Sequence, residues 1–484
     1  MLGIGLPKRR FAAAPALVVA GAVALGAGAV GMATASAATG AANAANASAA
    51  SVNTSTDTNV NGASADAGSV KANSGEVVSG LRQEVAAGTL LKTHGLRAVC
   101  GHCDAQVVTT SPSSKTPLSA SLPAGYGPSS LAAVYDLPGT STSTATIAII
   151  DAGVDGNLVG DLAKYRATYG LPACTVASGC LKLENYTGGA QPAPQRSGFG
   201  AYTEEEVGVE TSLDLDMASA ACGTCHLLEI SIPWQDANDD NDVSANDFAI
   251  AVDRAVAAHA AAVSISYGYT TDVTNTSGAD LAAFDHKGVP ITVSTGDNGF
   301  NGGIHQAWPS DLPTVVAVGG VTLATSAKGK ATAWYGAGSG CETDFRAATG
   351  QPAAATAACG GHRAAADVSA EADPATGVAV YDTYAPSSGQ PGDWMIVGGT
   401  SASAPYIGGL FARTGHLAAV HGPNTLYAAP ASDFTDITSG NNDGDGQYAV
   451  TCAQFPGVSE KLCNAGKGWD GPTGIGIPHG LGAF

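Results

Sequence analysis

Residues 145–153 read Ala-Thr-Ile-Ala-Ile-Ile-Asp-Ala-Gly, a short apolar run that ends on an aspartate and a glycine. A run of this length, rich in β-branched residues and closed by a turn signal, is typical of a buried strand. Similar runs occur at 226–232, 262–267, 289–295 and 315–318, and they alternate with segments of helical spacing at 207–221, 248–261 and 281–287. The alternation predicts an α/β domain with a doubly wound, mostly parallel sheet and helices on both faces.

The first 37 residues have the composition of a secretory signal. Three basic residues stand at 8–10, an apolar stretch runs from Phe11 to Val30, and small residues occupy 35–37. This order predicts export with cleavage after Ala37, and therefore a secreted, extracellular protein. A membrane anchor is the alternative, because the apolar stretch is nearly long enough to span a bilayer.

The rest of the chain changes in composition near residue 125. Residues 38–124 begin as a tract of small and polar residues and continue with a candidate helix at 80–91 and a Ser/Pro-rich stretch at 111–123. This composition predicts a low-complexity segment followed by a short pro-segment or linker. The regular alternation of apolar runs and helical patterns occupies 125–484, which we expect to form one domain.

The charge balance is acidic. The chain has 21 Lys and Arg against 41 Asp and Glu, and removal of residues 1–37 leaves 18 basic residues and a net charge of −23. Such a surface repels nucleic acid and anionic lipid, so we expect neither a nucleic-acid partner nor a stable membrane anchor after signal removal. We expect a monomer, although no sequence pattern specifies it.

Ten cysteines form five local pairs: Cys100/Cys103, Cys174/Cys180, Cys222/Cys225, Cys341/Cys359 and Cys452/Cys463. An even count and close spacing in an exported protein predict disulfide bonds, and local pairing is the simplest choice. The two C-x-x-C pairs also fit a dithiol oxidoreductase or a zinc site. No thioredoxin-type unit surrounds the first pair, and 118 residues separate the two, so structural disulfides are favoured.

Residues 398–405 read Gly-Gly-Thr-Ser-Ala-Ser-Ala-Pro and precede an apolar stretch. Because a first helical turn tolerates proline, Pro405 indicates that Ser401 lies at or near a helix N-terminus. There the backbone N–H and the helix dipole can stabilise an oxyanion, which makes Ser401 a candidate nucleophile. An N-cap without catalytic function is the alternative.

A nucleophilic serine needs a base. The context of Ser401 and the strand ending at Asp151 resemble the subtilisin family, whose triad also needs a histidine on a helix. No histidine occurs between Asp151 and His226, and the stretch 209–217 carries Glu210 and Asp214 instead. On a helix, carboxylates four residues apart project from one face and can share a hydrogen bond. A solvated acidic helix face is the alternative.

This stretch resembles the sedolisin family, the serine-carboxyl peptidases, which keep the subtilisin-like fold and replace the histidine by glutamate. The resemblance implies that Ser401 is the nucleophile, that Glu210 is its general base, and that Asp214 orients Glu210 and shares its proton. Residues 294–299, Ser-Thr-Gly-Asp-Asn-Gly, match the family's Ser-x-Gly-Asp-x-Gly segment. By the same resemblance, Asp297 lies in the oxyanion hole, where subtilisins carry asparagine.

Asp297 also predicts the pH range of activity. A carboxylic acid donates to an oxyanion only while protonated, and the reference pKa of carboxyl groups is about 4, so we expect an acidic optimum. An isolated aspartate after a strand could also be only a turn-capping residue.

Residues 434–438 and 466–470 resemble the two halves of the family's calcium site. The resemblance implies one structural Ca²⁺, held by the carboxylates of Asp436 and Asp470 and by the carbonyls of Ile437, Gly466 and Gly468. All are the hard oxygen donors that Ca²⁺ requires. A Gly/Asp turn cluster without metal is the alternative.

The sequence therefore predicts a secreted, acid-acting serine-carboxyl peptidase that hydrolyses peptide bonds in proteins or peptides through an acyl-enzyme on Ser401. Two alternatives stay open. One is a catalytically inactive relative that acts as a binding protein. The other is a subtilisin-type serine protease, active at neutral or alkaline pH, that uses Asp151 and a remote histidine.

Overall fold

The structure, a computed structural model, describes residues 95–98, 105–109, 123–194, 198–232, 244–268, 278–300, 308–324, 330–383, 393–443 and 450–484. All of them belong to the second of two compact units, residues 69–484. The predicted signal, the low-complexity tract, the candidate helix at 80–91, most of the Ser/Pro-rich stretch and the Cys100/Cys103 pair lie outside the described residues.

Strands and helices alternate along the described chain, as expected for an α/β domain. The strands are β1 (Gly95–Ala98), β2 (Gln106–Thr109), β3 (Thr146–Ala152), β4 (Leu181–Asn185), β5 (His226–Ile232), β6 (Ala262–Ile265), β7 (Ile291–Ser294), β8 (Val316–Leu323), β9 (Ala331–Ala333), β10 (Gly340–Arg346), β11 (His362–Ala365), β12 (Val368–Glu371), β13 (Val378–Tyr381), β14 (Trp394–Gly398), β15 (Phe434–Thr435) and β16 (Ile477–Pro478). The α-helices are α1 (Pro128–Val134), α2 (Leu158–Thr168), α3 (Gly198–Ala221), α4 (Ala245–Ala257), α5 (Gly278–Ala282), α6 (Ala353–Ala358), α7 (Thr400–Thr414) and α8 (Asn424–Ala428).

A large parallel sheet forms the centre of the domain. Its strands lie in the order β12-β8-β7-β6-β3-β5-β4, all neighbours along this order are parallel, and β9 pairs antiparallel with β8. Every residue of β6 and β7, and all but the first of β3 and β5, is buried. Side chains on both faces of these strands are therefore covered, which confirms the predicted fold class.

Helices α3 and α7 pack against each other and against the central strands. A Cβ atom on Gly409 of α7 would lie only 2.5 Å from the Cβ of Ala221 in α3, so glycine permits this close approach. Because parallel strands end at the same edge of a sheet, the segments after β3, β6 and β7 meet beside the N-terminus of α7. The candidate site lies at this edge of the sheet.

Two predicted helices have different boundaries in the structure. The helix predicted at 248–261 ends at Ala257, because His259 adopts a left-handed backbone with φ of 62°. The helix predicted at 281–287 is wrong over most of its length. Helix α5 ends at Ala282, and tight turns continue to Gly288, whose φ is 85°.

A second sheet has the order β1-β2-β14-β13. Strand β2 pairs antiparallel with β14, and Val107 and Gln106 lie opposite Val397 and Gly398. Ala105, just before β2, is fully buried in the main core. Part of the segment interpreted as a pro-segment or linker therefore lies beside the strand that leads to Ser401.

Four of the predicted disulfides lie in the described residues, and all four are confirmed: Cys174–Cys180, Cys222–Cys225, Cys341–Cys359 and Cys452–Cys463. They close loops of 6, 3, 18 and 11 residues. Within the described part of the chain, none of the helices is long and apolar enough to cross a membrane.

Candidate active site

Helix α3 carries the two carboxyl groups that the sequence places on one face. Glu210 and Asp214 are both completely buried, as are the residues around them on the helix. A solvated acidic face, the alternative for this pair, is therefore excluded. Buried carboxyl groups are costly unless hydrogen-bonded, and the Asp214 Oδ1 accepts the hydroxyl of Ser266 at 2.9 Å.

Ser401 is the second residue of helix α7 and is fully buried. Gly399 caps the helix with φ of 114°, a conformation that requires glycine. The position of Ser401 near the helix N-terminus is confirmed, but the reasoning from Pro405 is wrong. Pro405 is the sixth helical residue, in the second turn, where its missing N–H leaves the carbonyl of Ser401 without the usual i→i−4 bond.

Asp297 follows strand β7 and is held against the start of α7. Its Oδ1 accepts the backbone N–H of Thr400 at 2.8 Å and the Thr400 hydroxyl at 3.2 Å. The Thr400 hydroxyl in turn accepts the N–H of Gly296 at 3.0 Å. These bonds tie Asp297 to the residue next to Ser401, so the structure brings these two predicted site residues together.

Ser266 links the nucleophile to the carboxyl pair. It follows strand β6, it is fully buried, and its carbonyl accepts the hydroxyl of Ser401 at 3.4 Å, a long hydrogen bond. Its own hydroxyl donates to Asp214. The sequence prediction did not single out this residue as a site residue. The available signal was the presence of two serines, Ser264 and Ser266, in an otherwise apolar buried run.

Comparisons with known proteins find similar sequences. The model of the Subtilase family matches residues 218–426. Kumamolisin from Bacillus sp. (strain MN-32) is 29% identical over 74% of this chain and 63% of its own length. Sedolisin from Pseudomonas sp. (strain 101) is 27% identical over 74% of this chain and 60% of its own length. The chain thus spans about three fifths of these relatives.

A solved structure shows the same fold. Pseudomonas sedolisin, a serine-carboxyl proteinase complexed with two molecules of pseudo-iodotyrostatin, superposes with a TM-score of 0.54 and 24% identity. The superposition covers 74% of this chain and 96% of that chain. The chain is thus similar in sequence and in fold to sedolisins. The Subtilase match begins at residue 218, so it contains Asp297 and Ser401 but not Glu210 and Asp214, where the sedolisin-like sequence departs from subtilisins.

A subtilisin-type triad gains no support from the described residues. Asp151 is fully buried, and burial raises its pKa to about 7, which disfavours the permanently ionised aspartate that such a triad needs. The histidine side chains with recorded contacts bond elsewhere: His286 to Asp253, His421 to Asp285, His362 to a carbonyl, and His479 to a carbonyl and Asp136.

A cluster of buried carboxyl groups lies behind helix α3 of this sedolisin-like domain. Asp155, Asp161 and Asp382 form the carboxyl cluster, with oxygen atoms within 4.8 Å of one another. Asp155 Oδ2 accepts the hydroxyl of Ser212 in α3 at 3.3 Å. The sequence prediction missed this cluster, because its members come from distant parts of the chain. Burial raises the pKa of Asp155 to about 7 and raises that of Asp161.

The two segments of the predicted calcium site are in contact near the C-terminal end of the chain. The N–H of Gly468 donates to Asp436 Oδ2 at 3.0 Å, so the two halves of the predicted site are in direct contact. Asp470 is fully buried, and its Oδ2 accepts the N–H of Gly466 at 2.9 Å. The predicted donors are carboxylate and carbonyl oxygens, which are the ligand types that Ca²⁺ prefers.

Proposed function

We propose that this chain is a serine-carboxyl peptidase that hydrolyses peptide bonds in protein or peptide substrates. The observation that carries the proposal is the burial of Glu210 and Asp214 on one helix face, in a site where Asp214 and Ser401 both bond to Ser266. A buried carboxyl pair can hold and release one shared proton, which is the task that histidine performs in subtilisins.

In the first half of the reaction, the Ser401 oxygen attacks the scissile carbonyl and its proton passes to Glu210. The carbonyl π electrons move to oxygen and form the oxyanion. When the intermediate collapses, the C–N bond breaks and the amine leaves with the proton from Glu210. Water then attacks the ester on Ser401 with Glu210 again as base, which releases the acid and restores the hydroxyl. Asp214 holds Glu210 in place throughout.

Asp297 and helix α7 stabilise the oxyanion. The Asp297 Oδ1 already accepts two hydrogen bonds from Thr400, so the proton of the acid form belongs on Oδ2. From there it can be donated to the oxyanion. The N–H of Ser401, in the first helical turn, has no intrahelical acceptor and supplies a second donor.

The pH profile tests this assignment. The wild-type kcat/KM should peak in acid and fall towards neutral pH, because the protonated form of a carboxyl becomes about tenfold rarer for each pH unit above its pKa. Asp297→Asn keeps an oxygen acceptor and carries an N–H donor at every pH. We expect this variant to raise the ratio of kcat/KM at pH 7 to that at pH 4 by about tenfold or more, even if its maximum is lower. A wild-type optimum at neutral or alkaline pH contradicts the proposal.

We also infer that the protein is secreted. The order of residues in 1–37 supports this, and so do the four disulfide bonds, since such bonds persist mainly in oxidising compartments.

We also propose one structural Ca²⁺, held by Asp436, Asp470 and the carbonyls of Ile437, Gly466 and Gly468. The contact between Gly468 and Asp436 supports this proposal. When bound, the ion supplies charge that compensates two carboxylates and fixes the loop 466–470. A ligand present at 100 times its dissociation constant stabilises the folded state by about 2.7 kcal/mol, so Ca²⁺ should raise Tm by roughly 5 °C over a sample in chelator.

Asp470→Asn and Asp436→Asn should each abolish most of this rise in Tm, measured by thermal unfolding of an inactive Ser401→Ala background. Asp433→Asn, in the same segment and outside the predicted ligand set, is the control and should keep it. Equal melting in Ca²⁺ and in chelator for the wild-type site contradicts the calcium assignment.

A further inference from the structure

Ser266 makes contact with two different parts of the site. Its hydroxyl donates to Asp214 Oδ1 at 2.9 Å, and its backbone carbonyl accepts the Ser401 hydroxyl at 3.4 Å. A single residue therefore lies between the candidate nucleophile and the carboxyl pair.

The sheet fixes the position of this residue. Ile265, just before it, pairs with Ile150 of β3 on one side and with Val293 of β7 on the other. Tyr267, just after it, is fully buried and donates its hydroxyl to the carbonyl of Ala152 at 3.3 Å. Because both chain neighbours are held, Ser266 has little freedom to move away from Asp214.

We propose that Ser266 is a positioning residue that fixes which oxygen of Asp214 carries the proton shared with Glu210 and that holds the hydroxyl of Ser401 until substrate binds. This inference rests on the serine-carboxyl function proposed above.

The reason is the occupancy of the Asp214 oxygens. Oδ1 accepts the Ser266 hydroxyl, so a proton on this carboxyl belongs on Oδ2, which is itself buried. Glu210 lies one turn earlier on the same face of α3. A hydroxyl that donates to a carboxylate also favours its charged form, and therefore opposes uptake of an additional proton by the pair.

Ser266→Ala should move the acidic limb of the kcat/KM profile to higher pH, because the pair then binds its additional proton more readily. A hydrogen bond to a charged group typically accounts for a factor of about 10 to 100, so kcat should fall by about that much. KM should change little, since the hydroxyl bonds to Asp214 and not to substrate. The backbone carbonyl that holds Ser401 is retained in this variant.

Ser264 offers a matched control. It stands two residues earlier, on the same face of the same chain segment, it is fully buried, and within the described residues its hydroxyl has no hydrogen-bond partner. Ser264→Ala should therefore keep the wild-type pH profile and kcat. Ser266→Cys, a near-isosteric variant with a weak donor, should shift the acidic limb in the same direction and by less.

The experiment is a pH–rate profile from pH 2.5 to pH 7 for the full chain and these three variants, with thermal unfolding of each. A shifted limb in both Ser266 variants and an unshifted one in Ser264→Ala supports the inference. The inference is overturned if the acidic limb of the kcat/KM profile lies at the same pH in Ser266→Ala and Ser264→Ala. If Ser266→Ala does not fold, the inference is overturned by an acidic limb of Ser266→Cys that lies at the wild-type pH. An inactive wild type overturns the proposed function itself, which is a distinguishable result.

Discussion

Ser401→Ala and Glu210→Gln should each lower kcat/KM at acidic pH by about 10⁴-fold or more, because residues that act as nucleophile and base fail as a unit when either is lost. Alanine removes the attacking oxygen. Glutamine has the size of glutamate but cannot take up the serine proton. The measurement is hydrolysis of an unfolded protein substrate from pH 3 to pH 9.

Ser403→Ala is the control for the serine variant. Ser403 lies two residues further along helix α7, is equally buried, and donates its hydroxyl to the carbonyl of Glu371 at 2.9 Å. We expect it to keep most of the activity. Activity that peaks at neutral or alkaline pH and persists in Glu210→Gln would support the subtilisin interpretation instead. A folded protein without activity at any pH would favour the binding-protein alternative.

The free energy of unfolding should fall by several kcal/mol as the pH rises from about 4 to about 8. Burial raises the pKa of Asp151 and Asp155 to about 7, and it raises those of Asp161, Asp216 and Glu229. Between the ordinary carboxyl pKa near 4 and the raised values, the folded state holds more protons than the unfolded state. Stability is therefore lost as pH increases through this window.

The size of the effect follows from the shifts. A shift of about three units corresponds to roughly 4 kcal/mol for one buried group, and the contributions of neighbouring groups are not additive. Arg166 lies nearby but does not cancel this loss of stability, because its guanidinium donates to two carbonyls and to the Ser219 hydroxyl rather than to the carboxyl cluster.

Urea unfolding of a Ser401→Ala background at fixed calcium, at pH 4 and pH 7.5, measures this loss without self-digestion. Asp155→Asn removes one titrating group and should reduce the difference between the two pH values. Asp253→Asn should leave it unchanged, because the Asp253 side chain is 64% exposed. Stability that is constant or rises with pH would show that these carboxyl groups titrate normally.

The fold was predictable where buried elements show as apolar runs in the sequence. Strands β3, β5 and β6 are mostly apolar, because helices cover both faces of a parallel sheet. No sequence pattern predicts a helix end that depends on the backbone conformation of one residue, as at His259. The small sheet was missed because β1 and β2 are only four residues long and β2 pairs with β14, which lies far along the chain.

The candidate site was predictable to the extent that its residues stand in local motifs. Glu210 and Asp214 are one helical turn apart, and Asp297 and Ser401 each lie within a glycine-containing segment. Ser266 has no such motif, and its hydroxyl bonds to a residue 52 positions away. The carboxyl cluster joins residues 155 and 382, and only the folded chain brings these together.

Strand β2 supports the segment that leads to Ser401. It lies along β14, and Gly398, the last residue of β14, stands three positions before Ser401 and opposite Gln106. Removal of β2 would open one edge of β14, and Gly399, which follows β14, adds little backbone rigidity. A cut that separates β1 and β2 from the domain would thus change the support of Ser401, the proposed nucleophile. For the proposed peptidase, removal of the predicted signal and loss of the β1–β2 hairpin would be separate events, and only the second would change this support.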